Sequence, residues 1–522
     1  MSRPGPAPLL PIWLALPIAI IAGALFDLAF PDVGIWQLAF PAAALALLTL
    51  IGRSVGGGML VGAVFSASFY LLHIEWITRY LGVIPWFALA GIETLLNAIT
   101  APLLVLAYRW MPRLAPGPWV RVLALPALIA ALWTAREQFL GSWPYTGFPW
   151  GRVGMSQSEG PLAELASWVG VSGLTFAMVF VAAAAIEATR LRVWRRLTLG
   201  IPAAAMLLIL AVIPQFPTAD AGTMRVGAVQ GNGPSGYFDE REPYAIFQAQ
   251  LDATAPVLDA DIDLLLWPEG GIDADPLANT SVARALGDLA TRVDAPLLVN
   301  AATERGEDIY NTSMLWNPGA LEPSALHDKR NPVPMGEYVP DRWFFEAIVP
   351  DLIGLIQREY TPGTNAPFMD VDGVGVGLAI CFDVIYDEVI RESVQDGAQV
   401  LMFQTNNADF RGTDENLQQL GFARMRAIET GRAVVNVSTV GTSQVIAPDG
   451  SVMDALGVDE AGALVVDVPL RTGLTAGVVL GPAVQWLLGW LSLPVLAALG
   501  VILRLRGRTK AAPPAEDGAA EV

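Results

Sequence analysis

The sequence predicts an α-helical membrane bundle carrying one α/β domain, and three observations lead there. Hydrophobic residues make up 53% of the 522-residue chain and charged residues only 16%, where an ordinary soluble protein carries roughly a quarter charged. The apolar excess is confined to residues 9–217 and 477–503. Between them, residues 222–470 have a globular composition in which short β-rich runs alternate with helical patterns, the signature of an α/β domain.

The apolar part divides into stretches near 9–30, 33–52, 57–80, 84–111, 119–140, 161–189, 197–216 and 477–503. A bilayer crossing takes about 20 such residues, so the pattern predicts eight spans: a seven-helix bundle over 1–217 and a C-terminal helix at 477–503. An even number puts both termini on one side. Arg53, Arg109, Arg113, Arg121, Arg190, Arg192, Arg195, Arg196, Arg504, Arg506, Arg508 and Lys510 gather on that side, and only Arg79, Arg136 and Arg152 on the other. The positive-inside rule then makes both termini cytoplasmic and the 222–470 domain extracytoplasmic, in a multi-pass membrane protein. A cleaved signal peptide is the alternative for the first stretch, but its apolar core is long and only Arg3 precedes it. Residues 504–522 are expected to be a cytoplasmic tail, basic at first and disordered from Ala511.

Pro214 and Pro217 close the seventh stretch, and residues 218–222 form a hinge. Strands are predicted at 224–230, 263–267, 296–301, 310–316, 374–380, 400–403, 433–437, 443–446 and 463–468, and helices at 242–258, 282–293, 384–395 and 415–430. There is no internal repeat and no Gly-rich phosphate loop. A net charge of −19 argues against nucleic acid, which needs clustered Lys and Arg. Gly147-Phe-Pro-Trp150, an aromatic loop with Trp143 and Tyr145 beside it, reads either as an interfacial belt or as a wall of a lipid-access cleft. His73, Glu75 and Arg79 read as interfacial.

Cys381 is the chain's one cysteine. It forms no intramolecular disulfide and lacks the partners of a Cys-rich metal site, so it is either a small buried hydrophobe or a nucleophile. Only His327 of the two histidines lies in the α/β domain, which excludes a two-His zinc site there and leaves a Ser-His-Asp triad only through His327. A nucleophilic Cys381 would thus be served by a carboxylate or an amine at a neighbouring strand end. Glu269 follows an apolar strand stopped by Pro268, and Lys329 sits in a turn-rich segment, 326–340. Taken singly, either would more often be a solvated surface residue.

The order Glu269, Lys329, Cys381, spaced 60 and 52 residues apart, changes that reading. With Trp267-Pro-Glu269, Pro334-Met-Gly-Glu-Tyr-Val-Pro340 and Cys381-Phe-Asp383, the domain resembles the nitrilase superfamily. The membrane stretches, Gly147-Phe-Pro-Trp150, Val229-Gln-Gly-Asn232 and the run from Ala423 to Arg432 narrow the resemblance to the apolipoprotein N-acyltransferase family. The resemblance implies a four-layer α-β-β-α sandwich with Glu269 as base, Lys329 as positive stabiliser and Cys381 as nucleophile. It also implies supporting or substrate-binding roles for Glu337, Phe382, Asp383, Trp150, Tyr237 and Tyr338. The implied reaction carries an acyl chain from a membrane phospholipid, through a Cys381 thioester, to the α-amine of a diacylglyceryl-cysteine at a lipoprotein's N-terminus. Neither metal nor cofactor is implied, and the protein is expected to be a monomer. The family pattern Cys-Tyr-Glu is here Cys381-Phe-Asp383, a Trp usual after Gln-Gly-Asn is replaced by Tyr237 or Phe238, and the loop from Thr405 to Arg411 departs as well. Two other readings stay open: a membrane-bound amidase that uses water, and a transporter or scaffold with an inactive nitrilase-like domain. Against the latter stand the intact Glu269, Lys329 and Cys381 and the absence of intramembrane charges typical of ion or substrate pathways.

Overall fold

A computed structural model describes residues 7–509; the expected disordered tail from Ala511 lies outside the described residues. A helix lies in each of the eight apolar stretches: α1 (Ile12–Asp27), α2 (Ala39–Leu50), α3 (Val55–His73), α4 (Val83–Leu114), α5 (Leu125–Leu140), α6 (Ala166–Arg190), α7 (Ile201–Val212) and the last helix (Ala476–Thr509). Four have the length and apolarity to cross a bilayer, namely α3, α4, α6 and the last helix, while α1, α2 and α7 are shorter. Small residues let the helices approach: a Cβ on Gly62 of α3 would lie 2.6 Å from the Ala101 side chain of α4, the kind of contact that drives helix association in lipid.

The bundle is not free of charge, which removes the argument drawn above from its absence. Glu93, Glu137 and Glu187 are buried on α4, α5 and α6. Glu137 accepts from Trp133 Nε1 (2.9 Å), the Val153 amide (3.0 Å) and Thr175 Oγ1 (3.1 Å), and Arg136 lies 4.0 Å over the Trp133 ring. His73 is likewise buried rather than solvated, 3.1 Å from Asp27 and stacked on Phe69.

The α/β part contains two six-stranded sheets. The first comprises β1 (Ala219–Gln230), β2 (Leu264–Leu266), β3 (Leu297–Arg305), β4 (Asp308–Trp316), β5 (Ala325–Asp328) and the final strand (Gly462–Thr472), which pairs antiparallel to β1. The second comprises β6 (Phe368–Val371), β7 (Val374–Ile380), β8 (Val400–Thr405), β9 (Val434–Ser438), β10 (Ser443–Ile446) and β11 (Val452–Leu456). In each sheet three neighbouring strands run parallel, β1-β2-β3 and β7-β8-β9, with antiparallel strands flanking them. Side-chain alternation along a strand assigns the layers: Leu264, Leu266, Val376 and Leu378 meet between the sheets, while Leu265 packs outward with Phe247, Leu286 and Leu289.

On the first sheet's outer face lie α8 (Ala245–Thr254) and α9 (Thr280–Val293), the latter capped by the Asn279 side chain accepting from the Ser281 and Val282 amides. On the second lie α10 (Asp387–Gln395) and α11 (Glu415–Thr430). This is the α-β-β-α arrangement. α11 has no apolar-polar division because both its sides are covered: Phe422, Ala423 and Ile428 belong to one continuous apolar core with Val171, Leu174 and Ala177 of α6. The nine predicted strands are all present; β5, β6 and β11 are additional, and the segment read as turn from Leu326 therefore begins in strand.

Candidate active site

The carboxyl ends of β2, β5 and β7 bring three chemistry-bearing side chains to one cavity of about 660 Å³ lined by Glu269, Lys329, Cys381, Glu337 and Tyr237. Pro268 ends β2, and the Trp267 carbonyl is pinned by Gln404 Nε2 at 2.6 Å, so Glu269 leaves the sheet at a fixed point. Its orientation is set by a chain of donors. The Gly270 amide donates to Asn300 Oδ1 (2.7 Å), Asn300 Nδ2 to Asn311 Oδ1 (2.9 Å), and Asn311 Nδ2 to Glu269 Oε1 (2.7 Å). A backbone N–H can only donate, so each amide in the chain has one satisfied orientation.

Lys329 follows β5, with its amide donating to the Asn311 carbonyl (2.8 Å) and its carbonyl accepting from Gly363 (2.8 Å). Nζ lies 3.0 Å from Glu269 Oε1 and 2.8 Å from Glu337 Oε2, and the lysine is only 1% exposed. Burial works against its charge, but Glu269 and Glu337 outweigh it and hold the ammonium well above its usual pKa. Burial pushes the Glu269 carboxyl up, with Lys329 pulling it down. A carboxyl raised yet still paired to a cation suits a group that must take and return a proton.

Cys381 begins the turn after β7 with φ +49°, a left-handed conformation that a non-glycine residue adopts at some cost. Such strain at a strand-to-helix turn presents the side chain outward from the sheet. Burial, then Glu269, pushes the thiol well up, and Lys329 opposes them. Gln419 Nε2 on α11 lies 3.4 Å from Sγ.

The remaining expected site residues divide. Glu337 and Tyr237 line the cavity; the Tyr237 hydroxyl donates to the Leu355 carbonyl (3.1 Å) and accepts from the Gln357 amide (3.0 Å). Asp383 is fully buried behind the site. It accepts from the Arg330 amide (3.1 Å), the Asn331 amide (2.8 Å) and Asn331 Nδ2 (3.0 Å), which ties the turn carrying Cys381 to the residues after Lys329. Phe382 is packed against Phe148, Trp150 and Tyr386. Trp150 is 1% exposed and forms no wall of the cavity: its Nε1 donates to Gln418 Oε1 (2.6 Å), beside Trp76 Nε1 (3.1 Å) on the same oxygen. Its loop needs Gly147, φ +72°, where a Cβ would fall 2.2 Å from the Ser142 nitrogen. Tyr338 is half-buried and also outside the cavity lining. His327 is buried, its Nδ1 bonded to the Ala366 carbonyl (3.0 Å), and burial lowers its pKa to about 4, so it is a neutral structural residue.

Sequence reasoning missed Asn311, Asn407, Glu415 and Gln419, whose polar side chains converge from β4, the loop after β8 and α11. It also missed Tyr80, which enters the cavity wall from the bundle with its hydroxyl 3.1 Å from the Gly336 carbonyl. Glutamine and asparagine at these places carry no motif; their signal is only that polar residues recur on the otherwise apolar faces of an element.

Fold and site together define a carbon-nitrogen hydrolase scaffold joined to a membrane helical bundle. Residues 225–474 match the carbon-nitrogen hydrolase family model, and residues 22–184 match the apolipoprotein N-acyltransferase N-terminal domain. The chain is 33% identical to an apolipoprotein N-acyltransferase of Mycolicibacterium smegmatis over 94% of its own length and 84% of the relative's. It is 30% identical to one of Azotobacter vinelandii over 98% of both chains, and 29% identical to one of Shewanella oneidensis over 88% and 91%. Among solved structures, a mutant of the Nesterenkonia AN1 amidase from the nitrilase superfamily covers 48% of this chain and 93% of its own, at 21% identity and a TM-score of 0.37. The chain belongs to the apolipoprotein N-acyltransferase family.

Proposed function

We propose that the protein N-acylates lipoproteins through a Cys381 thioester, with Glu269 and Lys329 as its partners. The observation that carries this reading is the buried Lys329 ammonium held between Glu269 and Glu337 in the cavity that also exposes Cys381. As Cys381 Sγ attacks the ester carbonyl carbon of a phospholipid, Glu269 takes the thiol proton. The C–S bond forms, the C–O bond breaks, and Glu269 returns the proton to the departing lysophospholipid oxygen. Lys329, with the Phe382 N–H, stabilises the tetrahedral oxyanion; losing one such donor costs ~10²–10³ in rate. In the second half, the α-amine of a diacylglyceryl-cysteine attacks the thioester and gives up its proton to Glu269. The C–N bond forms, the C–S bond breaks, and Glu269 reprotonates the sulfur. Glu337 and Asp383 position Lys329, and Tyr237 contacts substrate from the cavity wall. Trp150 and Tyr338 support the surrounding structure.

The same reading places eight spans in the inner membrane, seven in residues 1–217 and one at 477–503, with residues 222–470 extracytoplasmic and both termini cytoplasmic. A single chain supplies Glu269, Lys329 and Cys381, so the reacting unit is a monomer. Both substrates are membrane-anchored, which gives the bundle a purpose that a water-soluble amidase lacks. The test is intact-mass analysis of protein isolated from membranes. A fatty-acyl increment on wild type that is absent from a folded Cys381→Ala variant is expected. N-acylated lipoprotein formed at wild-type levels by Cys381→Ala would overturn the mechanism.

A further inference from the structure

A second chain of donors, built like the one behind Glu269, ends on the Cys381 sulfur. The Gly441 backbone N–H donates to Ser438 Oγ at 2.9 Å, which leaves the hydroxyl proton for Asn407 Oδ1 at 2.7 Å. With its oxygen engaged, the Asn407 amide turns Nδ2 toward α11, where it donates to Glu415 Oε2 (2.8 Å) and Gln419 Oε1 (2.9 Å). Gln419 then has only Nε2 to offer the sulfur, at 3.4 Å. Ser438, Asn407, Glu415 and Gln419 are all buried, so water does not compete for these bonds. A flipped Gln419 would set its amide nitrogen against that of Asn407 and leave both short of an acceptor, a cost that fixes the orientation. Successive donors in one direction also polarise one another toward the last N–H.

The charged groups acting on the sulfur are Glu269, Glu337, Glu415 and Lys329. Three of these are carboxyls that, when ionised, disfavour a thiolate. Lys329 sits 3.0 Å or less from two of them, where its charge is largely answered. A sulfur anion in this setting gains from a neutral donor that brings no counter-carboxylate.

We propose that Gln419 is a catalytic residue whose Nε2–H stabilises the anionic sulfur of Cys381, with Asn407 and Ser438 as the positioning residues that aim it. The inference rests on Cys381 being the acyl carrier. In the forward half, the thiol proton goes to Glu269 and the sulfur lone pair is held by the Gln419 N–H until it forms the C–S bond. In the return half, the C–S bond breaks as the amine's C–N bond forms, and the electron pair comes back to the sulfur beside the same N–H. Lys329 serves the oxygen of the tetrahedral intermediate and Gln419 the sulfur.

The single cysteine makes a direct test available. The detergent-solubilised full-length protein is alkylated with iodoacetamide from pH 6 to 10.5, and the rate is read as the mass increment on Cys381, since only the thiolate reacts. In Gln419→Met, which keeps the size and loses the N–H, the midpoint is expected to rise by about one pH unit and the rate at pH 7 to fall about tenfold. Ser438→Ala cuts the relay at its remote end and is expected to shift the profile the same way, about threefold in rate. A purely structural role would lower the thermal midpoint and leave the alkylation profile where it was. Profiles of both variants that superimpose on wild type would overturn the proposal, and if Gln419→Met does not fold, Ser438→Ala decides alone. Alkylation does not depend on acyl transfer, so a negative result here is distinct from a failure of the acyltransferase reading.

Discussion

Lys329→Met should do more than delete a cation. Without the ammonium, Glu269 and Glu337 share Asn311 as a common donor, at 2.7 and 3.3 Å, with nothing positive between them. Glu269, raised by burial, loses the cation that pulls it down while Glu337 stays beside it, so it is driven toward its neutral form and the base is lost at neutral pH along with the oxyanion's partner. The oxyanion loss alone amounts to ~10²–10³ in rate. Lys329 is 1% and Glu269 7% exposed, so the pair is not screened as a surface pair would be, and removing one partner costs about 3–5 kcal/mol of stability. That deficit should shrink as pH falls: a folded-state carboxyl raised above its unfolded value gives stability that is full at low pH and lost as pH rises through the folded pKa. Glu269→Gln differs. It keeps a neutral acceptor for Asn311 and Lys329 and loses only the base. Single-turnover acylation of the solubilised variants, measured from pH 6 to 10.5, separates the two. As pH approaches the thiol's raised pKa, Glu269→Gln should climb to within about tenfold of wild type, because the thiolate forms without a base. Lys329→Met should stay ~10²–10³-fold below, because its oxyanion still lacks a cation. Equal recovery of both variants, or of neither, would refute this division of roles.

Burial raises the Glu415 carboxyl to about 8, with Asn407 opposing, so its contribution to stability is full below pH ~4.5 and lost by pH ~8. Glu415→Gln should therefore leave the thermal midpoint unchanged near pH 4.5 and raise it above pH 8, by up to roughly 5 kcal/mol in stability; an equal shift at both pH values would contradict the assignment. Gln418→Leu leaves the indole N–H groups of Trp76 and Trp150 without an acceptor, at about 1–3 kcal/mol each, and should lower the thermal midpoint clearly; a midpoint within one degree of wild type would show that they find other partners. For topology, a reporter fused after Lys510 should be cytoplasmic, and a tag within residues 222–470 should be reached by protease in intact spheroplasts. Protection of that tag would reverse the orientation.

The sequence exposed the α/β part well because its strands carry their own signals. Val374–Ile380 and Ser443–Ile446 coincide with the predicted ranges, and α11 does too. The strands it hid are four or five residues long and poor in β-branched residues: Ala-Leu-His-Asp in β5 and Val-Met-Asp-Ala-Leu in β11. Sheet pairing rather than propensity makes them strands. At the site, Glu269, Lys329 and Cys381 were legible because each sits beside a proline, a turn or a strand end. Gln419 and Asn407 were not, because their roles depend on which way an amide faces, and that is decided by Ser438 and Gly441 in another loop. The partner of Trp150 was hidden for a related reason. An aromatic in a loop between apolar stretches looks interfacial until its indole is seen bonded to α11.

The core shared by α6 and α11 sets the unit in which this protein can be divided or exchanged. An isolated 219–472 fragment would keep both sheets yet strip Phe422 of the Trp150 ring beside it, and Gln418 would lose the indoles of Trp76 and Trp150 while Gln419, one residue on, faces the sulfur. Grafting the α/β part of one relative onto the bundle of another would disturb the same seam. Change on either side of it must be matched on the other, so a chimera is best cut elsewhere: through exposed loops that leave α11 with the helices it packs against.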